Sequence, residues 1–132
     1  LAELGRDASG SDDFAGYAKP VHVTGFGVPS ATGADPADHW EGAAPPGGAG
    51  SWRASWNPAL QADWLEMFCR LALSKPFVAT VCWRDLADVA GHYLPHGGLC
   101  QADLAPKPAH DRLRKFRAAM SRVPGGASDI DK

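Results

Sequence analysis

Residues 77–83, Phe-Val-Ala-Thr-Val-Cys-Trp, form a nearly unbroken apolar run of strand length between Pro76 and a polar segment at 84–90. A strand with one wet face alternates apolar and polar residues, whereas a continuous run suits a strand covered on both faces, as in a parallel sheet. The residues before the run read as the helix such a sheet needs. Asn57 is placed as N-cap and Pro58 in the first turn, and Leu60, Trp64, Met67, Phe68 and Leu71 share one stripe before Ser74-Lys75-Pro76 ends the helix. Further upstream, Val21-His22-Val23-Thr24-Gly25-Phe26 is rich in β-branched residues and bounded by Pro20 and a Gly27-Val28-Pro29-Ser30 turn, which predicts a second strand. Downstream, Pro106-Lys107-Pro108 opens a last helix with Ala109, Leu113, Phe116 and Met120 on one face. Strand, loop, helix, strand, loop, helix is the grammar of an α/β fold with a parallel sheet. Two parallel strands need more strands beside them, so the pieces read as a sector of something larger or as an assembly that borrows edges from a partner.

The rest of the chain adds little regular structure. Ser11-Asp12-Asp13 predicts a cap for a short helix carrying Phe14, Ala15 and Tyr17, and residues 27–56 read as a long Gly/Pro-rich loop with Trp40, Trp52 and Trp56 spaced through it. Residues 122–132 read as a flexible tail.

A net charge of -2 gives no electrostatic reason to expect nucleic acid or an anionic membrane. The basic cluster Arg112, Arg114, Lys115 and Arg117 has the spacing of a solvated helix face. No apolar run approaches the length of a membrane span. The chain opens on Leu1 without a charged segment leading into an apolar one, which suits a processed, trimmed or incomplete product and leaves the compartment open. Cys69, Cys82 and Cys100 are odd in number and lack CxxC spacing, so they are expected as free thiols, with Cys69 and Cys82 packed in apolar segments.

Four phrases, in order, resemble glycoside hydrolases of family 10 and their relatives. Lys19-Pro20-Val21-His22-Val23-Thr24-Gly25 looks like the seventh barrel strand, where a Lys-Pro-Val-His-Ile-Thr-Glu phrase carries the nucleophilic Glu. Gln61-Ala62-Asp63-Trp64 resembles the opening of the following helix. Lys75-Pro76-Phe77-Val78, leading to Val81-Cys82-Trp83-Arg84-Asp85, is similar to the eighth strand. Gly97-Gly98-Leu99 with Ala105-Pro106-Lys107-Pro108-Ala109 is similar to the passage before the closing helix. The resemblance covers roughly residues 12–120 and implies the C-terminal sector of a (β/α)8 TIM barrel, about the last quarter of a chain of about 250 residues or more. It implies a parent that hydrolyses β-1,4-linked polysaccharide such as xylan with retention, without a cofactor.

This chain departs from the pattern at the chemistry. Gly25 stands where the family has its nucleophile, and the fourth strand that carries the acid/base Glu is not among these residues. A retaining glycosidase needs two carboxyl groups about 5 Å apart, one to attack the anomeric carbon and one to protonate the leaving oxygen. The expectation is therefore a hydrolase fragment with no catalytic residue retained. The alternative is a noncatalytic carbohydrate-binding or structural relative. Its partners would be a polysaccharide or oligosaccharide, and either the missing part of the barrel or a second copy met through exposed strand edges. A parent of this kind would be secreted or periplasmic.

The substrate-binding candidates are Trp83, Asp85, Asp88 and His22. Trp83 is implied as a wall under a sugar ring, the alternative being a core indole that closes the barrel end. Asp85 and Asp88 form an acid pair just past the strand, with helix capping the favoured reading over acid/base work. His22 reads as a hydrogen-bonded structural histidine rather than a proton shuttle. Trp40, Trp52 and Trp56 read as loop anchors or as a stacking platform. His92, His96 and His110 lack metal-site spacing, and Gly25-Phe26-Gly27 is not a dinucleotide fingerprint.

Overall fold

A computed structural model describes residues 19–35 and 50–122. The expected N-terminal helix, Trp40 and nearly all of the tail lie outside these residues. The described elements run β1 (Val21–Phe26), α1 (Pro58–Leu73), β2 (Val78–Trp83) and α2 (Pro108–Ser121). β1 and β2 pair in parallel, with Val21 against Val78, Val23 against Val81 and Phe26 against Trp83, and with irregularities on either side of the His22-Val23 pair. The chain is thus α/β, with α1 in the connection between two parallel neighbours.

Local chemistry accounts for the helix ends. Asn57 sits in extended backbone and its Oδ1 accepts the Leu60 N–H at 2.9 Å, which caps one of the first-turn amides that no helical carbonyl can reach. Pro58 follows at the position where its missing N–H costs nothing. At the other end the Ser74 hydroxyl donates to the Leu71 carbonyl at 2.6 Å. α2 begins differently, because Lys107 occupies its N-cap without a side-chain capping bond.

The core lies between α1, the sheet and α2. Ala62, Leu65, Cys69, Leu99, Ala109 and Phe116 are its buried cluster, with Phe26, Leu73, Val81, Trp83 and Leu113 packed against it. The stripe that faces this core is rotated from the expected one: Leu65 and Ala62 are fully buried, whereas Leu71 is exposed and Trp64 and Met67 are half-buried. The reason is that α1 meets two partners, α2 on one flank and the sheet on another, so its contact surface is wider than one heptad-like row. Trp64 and Phe68 instead stack 5.1 Å apart, and Phe26 of β1 stacks on Phe68 at 4.2 Å. On α2, Met120 is exposed although Phe116 and Ala109 are buried.

β2 is not covered on both faces, as its apolar run led us to expect. Thr80 and Cys82 are exposed, because the described sheet has two strands and its helices cover one side. The bare face also carries His22 and Thr24. Cys82 is consequently not packed, while Cys69 and Cys100 are buried. Burial pushes the Cys69 thiol up to about 11.

The basic cluster on α2 is not wholly a solvated face either. Arg112 reaches across to α1 and bonds Asp63 and Glu66, each at 2.9 Å. Glu66 also takes Arg70 at 3.0 Å, and this bond, helped by Arg112 against partial burial, holds its carboxyl below the ordinary carboxylate range.

Leu65→Ala is expected to cost about 3 kcal/mol in urea unfolding, the usual range for emptying a closed core site, against under about 0.5 kcal/mol for Leu71→Ala on the exposed row. Thiol labelling of the native chain at pH 8 is expected to modify Cys82 rapidly and Cys69 and Cys100 only on unfolding.

Candidate functional site

The carboxyl ends of β1 and β2 point into one region, and the long segment between β2 and α2 folds over it. That segment has no helix, yet it is tightly bonded: Asp88 N donates to Cys100 O at 3.1 Å, Cys100 N to Leu86 O at 2.8 Å and Lys107 N to Leu99 O at 3.0 Å. Gly97 and Gly98 are required by closeness of approach. A Cβ on Gly98 would lie 2.5 Å from the Ala87 carbonyl carbon, and one on Gly97 would lie 2.7 Å from the Leu94 side chain.

Beneath this segment lies a buried polar knot. The Lys107 side chain is fully enclosed, and its ammonium donates to Asp88 Oδ2 at 2.7 Å, Ser30 Oγ at 2.9 Å and the His96 carbonyl at 3.2 Å. An ammonium has three protons, and three oxygens receive them. Asp88 Oδ1 in turn accepts the Gly98 N–H at 2.7 Å. His96 adopts a left-handed backbone, φ 57, which presents its carbonyl to Ser30 as well, through N–H at 2.9 Å and Oγ at 3.2 Å. Gln61, also fully buried, donates from Nε2 to the carbonyls of Val28 at 2.9 Å and Gly98 at 3.3 Å. The turn after β1, the start of α1, the segment after β2 and the start of α2 therefore meet at one point. A second clamp lies alongside, where Asp35 Oδ2 accepts from His92 Nε2 and from the His96 N–H, both at 2.7 Å.

Above the knot is an open cleft of about 560 Å³ lined by Thr24, Trp83, Arg84, Asp85, Gly91 and Tyr93. Trp83 is held by an edge contact with Phe26, centroids 5.3 Å apart, and by its indole N–H donating to Gly97 O at 2.9 Å. The ring therefore belongs to the core and to the cleft wall at once. The Arg84 guanidinium lies 3.8 Å over the Tyr93 ring. Gly25 is beside it, since a Cβ there would stand 3.4 Å from Arg84 Nη1.

The other expected site residues separate. Asp85 lines the cleft, but its two carboxylate oxygens accept the Tyr93 and Leu94 N–H groups at 3.1 and 3.0 Å. Asp88 is buried in the knot. Neither aspartate caps a helix, which corrects the capping reading; both fasten loop backbone, because the segment that follows β2 turns back on itself instead of coiling. His22 is exposed on the bare sheet face, its Nδ1 2.9 Å from Thr80 Oγ1, a cross-strand bond. Trp56 is buried and Trp52 carries Arg53 at 4.1 Å over its ring, so neither lines the cleft. Sequence reasoning missed Lys107, Gln61 and Ser30. Lys107 had a legible signal: a lysine between two prolines at a helix start, where Ser, Thr, Asp or Asn would serve the cap better.

Comparison of the chain with protein-family models, with curated proteins and with solved structures gives no match. Among the described residues no helix is long and apolar enough to cross a membrane.

Lys107→Met is expected to destabilise the chain by about 3–5 kcal/mol in denaturant unfolding, because it strands the Asp88 carboxylate in the interior. Pairing it with Asp88→Leu is expected to recover much of that loss, since the costly species is the lone buried charge.

Proposed function

We propose that this chain is the sugar-facing C-terminal sector of a glycoside hydrolase barrel, related in pattern to family 10, and that by itself it binds saccharide without cleaving it. The observation that carries the reading is the cleft at the carboxyl ends of two parallel strands, the side on which α/β barrels hold their substrates. Its walls suit a sugar. Trp83 and Tyr93 offer aromatic surface to C–H groups, while Thr24 and Arg84 offer hydrogen-bonding groups. The exposed opposite face of the sheet, with Thr80 and Cys82 bare, is compatible with further strands closing a barrel around it.

Inactivity follows from the chemistry of the carboxylates. Gly25 has no side chain to attack an anomeric carbon or to protonate a leaving group. Asp85 on the cleft wall and Asp88 in the knot have their oxygens engaged by backbone amides and by Lys107. That engagement also supports the second reading, a relative in which binding persists without turnover.

The test pairs two measurements on one sample, calorimetric titration with xylo-oligosaccharide and reducing-sugar release. Binding with no release above blank is expected; release by the isolated chain would refute the inactivity, and absence of binding would refute the saccharide cleft. In a longer protein that also supplies a strand ending Asn-Glu-Pro, Gly25→Glu is expected to raise hydrolysis by orders of magnitude.

A further inference from the structure

We propose that the cleft selects saccharides bearing a carboxylate, such as a glucuronic acid side group, and that Arg84 is the residue that pairs with it. The inference rests on the saccharide reading of this cleft and names the class of sugar. Three features of the geometry carry it.

The first is the state of Arg84. Its backbone is fixed to β1 by the Arg84 N–H donating to Phe26 O at 2.9 Å, and its guanidinium carbon lies 3.8 Å from the centre of the Tyr93 ring. A guanidinium carries five N–H donors, so one seated over a ring still offers a pair that a planar carboxylate meets two at a time. Among the described residues no acidic side chain pairs with Arg84, although Asp85 is its chain neighbour, because both Asp85 oxygens are turned to the Tyr93 and Leu94 amides.

The second is the space at Gly25. Any side chain there would begin 3.4 Å from Arg84 Nη1, so glycine leaves that approach clear. A carboxylate at position 25 would neutralise Arg84 from within; without one, the cation faces the cleft and a ligand's carboxylate takes the same place.

The third is the sign and size of the charge nearby. Asp85 stands on the same cleft wall, so a doubly charged group such as a phosphate monoester is repelled more than a singly charged one. Trp83 and Tyr93 complete the site with surface for the sugar ring, which a free small acid does not use.

The experiment titrates the chain with xylotetraose, with xylotetraose bearing one glucuronic acid group, and with free glucuronate. The acidic tetraose is expected to bind about fivefold more tightly than the neutral one, the scale of an exposed but well-oriented ion pair, and the difference is expected to shrink in high salt. Arg84→Gln is expected to erase the preference. Gly25→Glu is expected to erase it with Arg84 intact, which separates charge pairing from any loss of folding at Arg84. Equal affinity for the neutral and acidic tetraoses would overturn the inference and leave the saccharide reading standing. Free glucuronate binding as tightly as the acidic tetraose would overturn it in favour of a simple carboxylate site. Failure of all three ligands to bind would overturn both.

Discussion

The buried ammonium of Lys107 is the point on which the arrangement of the chain depends. A lysine is placed in a protein interior only where its charge is matched and its protons are received, because removing an ion from water costs several kcal/mol. Here Asp88 matches the charge, and Ser30 and the His96 carbonyl take the remaining protons. Ser30 follows β1, whereas Asp88 and His96 both belong to the segment after β2, so the bond set ties the start of α2 to two other stretches of chain. An apolar contact at the same place would tolerate sliding; this one does not.

That constraint positions the cleft. With the turn after β1 held by Ser30, and the segment after β2 held by Asp88 and Gly98, the rims of both strands are set against each other. Trp83 is then fastened to the same segment through Gly97, and Asp85 orders the backbone at Tyr93, on which Arg84 rests. The cleft residues are positioned because loop backbone, which has no ladder to join, is tied to the side chains of Trp83, Asp85 and Asp88. The same bonds occupy the oxygens of Asp85 and Asp88.

The bare sheet face is the complementary feature. Helices cover one side of β1 and β2, leaving His22, Thr24, Thr80 and Cys82 exposed on a sheet that has two strands among the described residues. The edges of a sheet are a template for pairing with further strands.

What could be read from the sequence is what short-range chemistry controls. The strands, the Asn57 cap and Pro58, the helix end at Ser74 and the prolines opening α2 all follow from preferences that act within a few residues, and the parallel pairing followed from the helix-length crossover between the strands. The face that α1 buries was not legible, since two packing partners widened it and moved Leu71 outward and Leu65 inward. Nor were the roles of Asp85, Asp88 and Lys107, whose partners lie far along the chain: Lys107 finds Ser30 across 77 residues. A charged side chain's function is set by which opposite charges and amides surround it, and only the folded chain brings those together. Gly25 illustrates the division. Its lack of a carboxylate was plain from the letter alone, but that its empty space adjoins Arg84 was decided by the pairing of two strands.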